Sequence, residues 1–419
     1  MTIRDGETEA LIRSYASPLF RVAGIDPGLV RIMLLRDRAI NAFVATGNRM
    51  LIHTGLIQQV DGAGELIGVM AHETGHVSGG HLARLPEQMQ QALIASIAAM
   101  LAGAAAGAMG GGQAGVGVAM GGQALAERGL YAFTRAQENA ADQAALAFLD
   151  RNGWSARGLL RLFERLRDQE LLAAERQDPY LRTHPLTRER MEAVEAHLAR
   201  SRHADAPLPA EFDSGLRMVK AKLDGFLDSP QSVMRRFPET DKGAPARYAR
   251  AIALHRSGRI QPSVELIDGL LKEQPQNPWL HELKGQVLFE GQRPREAIAP
   301  YRTAVGLVPD EPTLRMELGR VLIATDDPAL LKPAVAELQA SLRLDDESAF
   351  AWRQLGIAQG RLGNQGEANL ALAEEAMLKG DIRAARAQAA RAVATLPPGP
   401  ARLRAQDIQN AVRRENRPR

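Results

Sequence analysis

The chain has 419 residues, enough for two or three domains, and its 45% hydrophobic and 24% charged residues are typical of a globular protein. A net charge of +3 and 4% aromatic residues argue against nucleic acid as a partner, because such binding needs clustered positive charge or stacking side chains. The absence of cysteine excludes a disulfide framework and is compatible with an oxidising or a reducing compartment.

The first predicted element that bears on function is a β-hairpin. Residues 39–45 are mostly apolar, 46–49 have turn chemistry, and an apolar strand resumes at 50–53. An exposed edge strand of such a hairpin can bind the backbone of an extended peptide by strand addition. The candidates for that edge are Asn41, Ala42 and Phe43. An ordinary core hairpin is the alternative.

The next element is a helix predicted over about residues 61 to 84, with Asp61 as its N-cap. It contains the pentapeptide His72-Glu73-Thr74-Gly75-His76. Residues four apart lie on one face of a helix, so His72 and His76 can bind a single metal ion. Glu73 can then reach a water at that metal and act as general base. The alternative is a pair of ordinary histidines without a metal role.

Residues 91–125 are dominated by alanine and glycine. The run from Leu93 to Gly122 has no charged residue and is long enough to span a bilayer, but its glycine clusters break a helix. We predict small-residue helices with a flexible connection that serves as a lid over the active site or as a peripheral membrane contact. A transmembrane span is the alternative.

A third metal ligand is needed, and two places in the sequence compete for it. The long metzincin motif would require a histidine one residue after His81, and the chain has none there, so we interpret His81 as a supporting or structural histidine. The second place is a helix-forming run in which Glu138 and Asp142 share one face. Glu138 could ligate the metal, and Asp142 could accept a hydrogen bond from a ligating histidine. Spacing alone does not distinguish Glu138 from Glu127 or Glu164.

The composition changes after about residue 200. Residues 201–245 contain several prolines around an amphipathic stretch and are predicted to be a linker with its own helix. Residues 246–398 show the 34-residue period of tetratricopeptide (TPR) repeats, for example between Gly285 and Gly319. Such units stack into a solenoid that binds peptides or proteins. Residues 399–419 are predicted to be a basic, solvated tail.

Taken together, these motifs resemble the gluzincin family that includes the CAAX prenyl protease and the heat-shock protease HtpX. The resemblance rests on the pentapeptide, on the run from Glu138 to Asp142 and on the run from Thr183 to Arg190. The run from Asn41 to Asn48 is also similar. The resemblance covers residues 5 to 200 in detail and the remainder in architecture.

The resemblance implies a mostly α fold of the α+β class. A zincin-like metalloprotease domain with a small β-hairpin or sheet would occupy residues 1–200, followed by an α-solenoid of TPR helix pairs. It also implies one Zn²⁺ per chain, bound by three side chains, with Glu73 as general base. The implied ligands are His72, His76 and Glu138.

Three further roles follow from the resemblance. Asp142 would support a ligating histidine, and Arg190 would orient the loop around His184 or an acid near the site. His184 would lie over the metal. Its neutral imidazole could donate to the developing oxyanion, or it could occupy the open zinc position and keep the enzyme latent.

The N-terminal sequence and the family resemblance predict different cellular locations. The polar N-terminal residues, from Met1 to Gly6, contain no secretory signal, which alone predicts the cytoplasm. Family members with a repeat domain are periplasmic, and a sequence that starts after a removed signal would reconcile the two. We therefore expect the periplasm.

Two functions from different classes are predicted. The first is a zinc endopeptidase that cleaves protein substrates, by resemblance misassembled outer-membrane proteins. Its repeat array would bind substrates or the outer-membrane β-barrel assembly machinery. The second is a chaperone or scaffold that acts through the repeats and has a latent or silent metal site. The presence of Glu73 favours the first, because loss of that base is the simplest way to inactivate such a site.

Overall fold

The computed structural model describes residues 2–45, 47–81, 135–170, 180–181 and 184–415, without the side chains of 168–170 and 412–415. The chain forms two compact units, Met1–Lys220 and Ala221–Arg419. The first contains a small sheet with helices and the second contains stacked helix pairs, so the predicted fold class is confirmed.

The sheet of the first unit has four strands in the order β1-β2-β4-β3. In chain order these are β1 Thr2–Ile3, β2 Arg31–Leu35, β3 Ala42–Ala45 and β4 Arg49–His53. The predicted hairpin is the antiparallel pair β3–β4, in which Ala42 faces Ile52 and Ala45 faces Arg49. Its turn contains Gly47 and Asn48, both with positive φ. Strand β3 is therefore at one edge of this sheet.

The pentapeptide lies on one of the helices of the first unit. These helices comprise Gly6–Val22, Thr54–Gln59, Ala63–Ser78, residues 135–151, Arg157–Glu170 and Arg188–Leu198. We call Ala63–Ser78 the HETGH helix and residues 135–151 the ENAAD helix. Almost every residue of the HETGH helix is buried, which places its histidines in the interior.

The HETGH helix begins and ends differently from the prediction. It starts at Ala63, whose N–H donates to Asp213 Oδ1 at 2.8 Å, while the Asp61 carboxylate pairs with Arg165. The predicted Asp61 cap is therefore wrong, because a carboxylate distant in sequence takes its place. The helix ends at Ser78, just before Gly80 adopts a positive φ of 62°.

One glycine controls how closely the two site helices approach. A Cβ added at Gly75 would lie 2.6 Å from the carbonyl oxygen of Ala141. No side chain fits at that distance, so only glycine permits this approach. The contact brings the ENAAD helix directly beside the pentapeptide.

The second unit contains five helix pairs. Their first helices are Ala244–Arg256, Pro278–Glu290, Pro312–Ala324, Ala349–Arg361 and Ile382–Thr395. Their second helices are Ile260–Glu273, Pro294–Leu307, Leu331–Leu344, Gln365–Leu378 and Pro400–Glu415. The third pair includes the extra turn Pro328–Leu330 between its two helices. Two further helices, Ala210–Leu227 and Pro230–Arg236, precede the array.

Small residues on the first helices allow each pair to pack closely. A Cβ at Gly285 would lie 2.6 Å from the Tyr301 ring, and one at Gly319 would lie 2.6 Å from Leu338. The glycines thus receive large side chains of the second helices, as the repeat pattern predicts.

The C-terminal residues continue this packing. Within the segment predicted to be a basic tail, the helix Pro400–Glu415 packs Ala405 and Ile408 against Ala389 and its neighbours. Arg404 makes a bidentate ion pair with Glu374. In the part of the chain that is described, no helix is both long and apolar enough to cross a membrane. Residues 91–125, predicted to form a lid or membrane contact, lie outside the described residues.

Candidate metal centre

Two histidines of the pentapeptide direct the same ring nitrogen to one point. His72 and His76 lie one turn apart on the HETGH helix, and both are buried. Their Nε2 atoms are 3.0 Å apart. The helix thus presents two imidazole nitrogens that can bind one ion.

Glu138, on the ENAAD helix, contributes one carboxylate oxygen to each histidine. Its Oε2 is 3.3 Å from His72 Nε2, and its Oε1 is 3.3 Å from His76 Nε2. The carboxylate is buried. Glu164, one of the alternatives by spacing, is exposed on another helix, and Glu127 lies outside the described residues. Of the two candidates that the structure describes, Glu138 lies beside the histidines and Glu164 does not.

His184 supplies a fourth donor. Its Nδ1 is 3.3 Å from His72 Nε2 and 3.1 Å from Glu138 Oε1. Its Nε2 lies 3.3 Å from Glu73 Oε1. The donor atoms of His72, His76, Glu138 and His184 all lie within 4.8 Å of one another. His184 therefore lies among the candidate ligands themselves.

These separations fit a tetrahedral metal ion. Zinc binds imidazole nitrogen and carboxylate oxygen at about 2.0–2.2 Å, so neighbouring corners of a tetrahedron around it are roughly 3.3 Å apart. The donor distances given above, which cover every pair except His76 with His184 and use the nearer Glu138 oxygen, range from 3.0 to 3.3 Å. Three imidazoles and a carboxylate are also a donor set that zinc accepts.

The environment of His72 supports the same conclusion. Its Nδ1 is 2.8 Å from Asp142 Oδ1, and because a carboxylate only accepts hydrogen bonds, we assign the proton to Nδ1. A neutral ring then presents the lone pair of Nε2 to His76 and to the Glu138 carboxylate. Electron-rich atoms that converge in a buried site need a cation between them.

In the absence of a metal ion, protons compensate for the negative charge. Burial opposes protonation of His72, but hydrogen bonds with Asp142 and Glu138 outweigh it and raise its pKa to about 9. Burial likewise opposes ionisation of Glu138, but hydrogen bonds from His184, His72 and His76 hold its pKa below the ordinary value. A metal ion bound here competes with the proton on His72.

Arg190 connects the second carboxylate to the loop that contains His184. Its Nε and Nη2 donate to Asp142 at 2.6 and 2.9 Å, and its Nη1 lies 3.0 Å from Glu138 Oε2. The same Nη1 donates to the carbonyl oxygen of Pro185 at 2.9 Å. Arg190 is thus a buried cation between the candidate ligand, its supporting carboxylate and the loop.

Glu73 faces the same point from the HETGH helix. Burial raises its pKa to about 7, which is close to neutral and suits a general base. Its Oε1 and the Nε2 of His184 have no hydrogen-bond partner within the described residues. Two unsatisfied buried polar atoms that face each other mark a place for a polar reactant.

The candidate substrate edge lies beside the HETGH helix. Strand β3 contacts that helix, and no strand in the described part of the chain pairs with its outer side. Ala42 is buried and Phe43 is half-buried within the strand, and the carbonyl oxygen of Asn41, just before it, accepts from the His53 N–H at 3.0 Å.

Three further contacts at this site involve His81, interpreted from the sequence as a supporting or structural histidine, and Tyr180 and Phe163, which the sequence did not single out. His81 Nδ1 is 2.9 Å from His76 Nδ1, so His81 contacts a candidate ligand. The Tyr180 ring packs 4.9 Å from the His184 ring, and the Arg190 guanidinium lies 5.0 Å from the Phe163 ring. Tyr180 stands four residues before His184, and its carbonyl oxygen accepts from the His184 N–H at 2.7 Å.

Comparison with known proteins finds similarity to peptidases. Residues 4–198 match peptidase family M48. The Beta-barrel assembly-enhancing protease of Yersinia pestis is 26% identical over 364 residues, covering 83% of this chain and 71% of that protein. The Escherichia coli (strain K12) protein of the same name is 25% identical over 356 residues, with the same coverage. A Vibrio cholerae protein with the name "Putative beta-barrel assembly-enhancing protease" is 28% identical over 370 residues, covering 84% and 72%.

Two solved structures are similar to part of this chain. YrrB, described as a TPR protein with an unusual peptide-binding site, is 19% identical, covers 41% of this chain and 88% of its own, and has a TM-score of 0.34. MamA is 19% identical, covers 39% and 93%, and has a TM-score of 0.31.

Proposed function

We propose that this chain, whose residues 4–198 form a peptidase family M48 domain, is a zinc metalloendopeptidase that cleaves protein substrates. The observation that carries the proposal is the convergence of His72, His76 and Glu138 beside Glu73 in a buried site. These three side chains would hold one Zn²⁺ per chain. When bound, zinc would act as a Lewis acid toward a peptide carbonyl and toward water.

The other steps belong to side chains of this chain. Glu73 Oε1 would accept the proton of the attacking water and pass it to the departing amine, as its pKa near 7 allows. Asp142 holds His72 in one tautomer and orientation, and Arg190 holds Asp142 in turn. The ligand geometry would therefore be set before substrate arrives.

The substrate backbone would bind along the free side of strand β3. Strand addition there supplies main-chain hydrogen bonds with little side-chain selectivity, which suits a protease that acts on many sequences. The edge position of β3 beside the HETGH helix supports this placement. The residues proposed to contact substrate are Asn41, Ala42 and Phe43.

His184 would hold the resting enzyme latent. Its Nδ1 lies within 3.3 Å of two candidate ligands, which is where a fourth zinc ligand would be and where substrate would have to enter. Its other nitrogen faces Glu73 and would block the base as well. The alternative role, donation to the oxyanion, requires the ring to leave this position first.

The biological setting is proposed from the relatives. Proteins named Beta-barrel assembly-enhancing protease share 25–28% identity with most of this chain. On that basis we propose a periplasmic enzyme that removes misassembled outer-membrane proteins and whose TPR helices bind substrates or the β-barrel assembly machinery. A peripheral membrane contact would fall to residues 91–125.

The second candidate is a chaperone or scaffold with a silent metal site. The position of His184 among the ligands favours it, because a permanently bound His184 would exclude substrate. Casein cleavage distinguishes the two functions. The wild type should cleave casein, and Glu73→Gln should be inactive; equal behaviour of both would contradict the protease. His184→Ala should raise activity if His184 blocks the site and abolish it if His184 is the oxyanion donor.

A further inference from the structure

The arginines on the first helices of the repeat pairs fall into two groups. Most of them are held by carboxylates or backbone carbonyls of the same unit, namely Arg247, Arg250, Arg256, Arg315, Arg320 and Arg361. In the last two pairs, Arg353, Arg383, Arg386 and Arg391 make no hydrogen bond or ion pair with any side chain that the structure describes. Positive charge without an internal partner thus accumulates at the end of the array.

Exposed apolar side chains accompany these arginines. On the helix Ala349–Arg361, Phe350 is 42% exposed and Ile357 is 39% exposed, although both are large. Arg353 lies between them at helical spacing, so all three share one outward face. A face with two exposed apolar residues around an unpaired cation is unusual for a surface that stays in water.

The repeat register joins this face to the next helix. The Arg320 guanidinium, on the ninth residue of its helix, lies 5.6 Å from the ring of Phe350, the second residue of the following first helix. The equivalent positions one repeat later are Ile357 and Arg383. The repeat register therefore relates Ile357 to Arg383 as it relates Arg320 to Phe350.

A recess lies on the last of these helices. Its volume is about 490 Å³, and it is lined by Ile382, Arg383, Arg386, Ala387 and Ala390. The alanines give it a shallow apolar floor, and the two arginines stand at its side. We use the name arginine face for the surface formed by Phe350, Arg353, Ile357, Arg383 and Arg386.

We propose that the arginine face binds an extended peptide segment in which Asp or Glu side chains alternate with apolar ones. This rests on the proposed function in one respect, that the repeat array receives proteins. Guanidinium groups form bidentate hydrogen bonds with carboxylates, and Arg353, Arg383 and Arg386 have no carboxylate partner among the side chains that the structure describes. The recess beside Arg383 and Arg386 offers apolar contact to an extended chain whose carboxylates pair with these arginines.

The test measures fluorescence anisotropy with the full chain carrying Glu73→Gln, so that peptides are bound but not cleaved. The probe is a labelled peptide of alternating Glu and Leu residues, compared with peptides in which Gln or Lys replaces Glu. We expect the Glu peptide to bind at least tenfold more tightly than the Gln peptide and the Lys peptide to bind weakest. Binding of the Glu peptide should weaken with added salt. Equal binding of all three peptides would overturn the proposal.

Matched variants locate the site. Arg353→Gln combined with Arg386→Gln should reduce affinity for the Glu peptide at least tenfold, while Arg295→Gln combined with Arg302→Gln, two exposed arginines of a second helix, should change it less than twofold. Equal losses in the two pairs would overturn the proposal. All four positions are on the surface, so the melting temperature should not change.

Two further measurements separate the remaining possibilities. Co-sedimentation with phosphatidylglycerol vesicles that needs the same arginines, without binding of the Glu peptide, would replace the proposed peptide with an anionic lipid surface. Casein cleavage by the wild type is measured in parallel. If casein is cleaved but the Glu peptide does not bind, this inference fails while the protease stands.

Discussion

The metal centre and the repeat array are both buried interiors, but different forces hold them together. The centre gathers charged side chains from positions far apart in the sequence, such as His72, Asp142 and Arg190, which bond to one another within 2.6–2.9 Å. The array packs neighbouring helices through glycine and alanine against large apolar side chains, such as Gly285 against Tyr301. One interior depends on charge balance and the other on volume.

The difference predicts how each region fails. Removing one member of a buried charge network leaves another charge unpaired, and that penalty is large. Adding or removing a methyl group in the array changes packing, and each repeat can adjust to a neighbour. Substitutions in each region test whether charge balance dominates at the candidate metal centre and packing dominates in the repeat array.

The largest effect is expected from Arg190→Met. This change leaves the Asp142 and Glu138 carboxylates buried without their cation, and we expect a loss of about 3–5 kcal/mol in the unfolding free energy of the first unit. Urea unfolding followed through Trp154 measures it, in a chain where Trp279→Phe and Trp352→Phe remove the signals of the second unit.

The control for Arg190 is Arg404→Met in the repeat array. Arg404 also forms an ion pair, with Glu374, but its side chain is 60% exposed. We therefore expect a loss of about 1 kcal/mol or less. Similar losses for the two variants would show that burial does not distinguish the regions.

Removal of zinc should destabilise only the first unit. A ligand present at a thousand times its dissociation constant stabilises a protein by about 4 kcal/mol, and the candidate ligands all lie within Met1–Lys220. With a chelator, hydrogen exchange should become faster in the HETGH and ENAAD helices. The exchange rate in Pro278–Glu290 should not change. Equal loss of protection in both units would contradict a local metal site.

The pH dependence of zinc binding follows from His72. Its pKa is raised to about 9 in the metal-free protein, so zinc must displace a proton at any lower pH. The apparent zinc affinity should therefore rise as the pH increases from 7 to 9. Isothermal titration in buffers of different ionisation enthalpy would count the released protons, and a release of none would contradict this assignment.

A smaller effect is expected from His81→Ala. The His81 ring contacts His76 Nδ1 at 2.9 Å and so fixes the orientation of a candidate ligand. We expect zinc affinity to fall about 10- to 100-fold, as measured by competition with a chromophoric chelator. His81→Asn keeps a polar atom near the position of Nδ1 and should restore most of the affinity. A loss of folding in both variants, with affinity unchanged per folded molecule, would argue against this role.

An effect of similar size is expected in the repeat array, from Gly285→Ala. The added Cβ would lie 2.6 Å from the Tyr301 ring and should cost about 1–3 kcal/mol by overpacking. Gly269→Ala is the matched control, because nothing lies within 4 Å of its added Cβ; it should instead stabilise its helix by roughly 0.5–1 kcal/mol. Hydrogen exchange in the two helices measures both changes in stability. If both substitutions stabilise, or both destabilise, the packing argument is contradicted.

The repeat array could be predicted in detail from the sequence because its contacts are local. Gly285 and Gly319 repeat at the period of one helix pair, and each contacts the next helix along the chain. The hairpin β3–β4 was predictable for the same reason, since Gly47 and Asn48 allow the positive φ angles of its turn.

The metal centre could be predicted only in part. The pair His72 and His76 follows from helical spacing, but spacing did not single out Glu138, which required the family resemblance. The cap of the HETGH helix was missed because Asp213, which accepts from Ala63, is 150 residues away in sequence. Contacts of this length depend on the complete fold and have no local pattern.

Gly75 gives the pentapeptide a meaning beyond its charged residues. A search for two histidines and a glutamate at the correct spacing would accept any residue at this position, but here the neighbouring carbonyl of Ala141 leaves no room for one. A larger residue at 75 would push away the helix that carries Glu138 and Asp142. In the terms of protein design, transplanting His72, Glu73 and His76 onto another helix would reproduce two candidate ligands and the proposed base. Without a glycine at this position, the helix that carries the third candidate ligand could not approach closely enough.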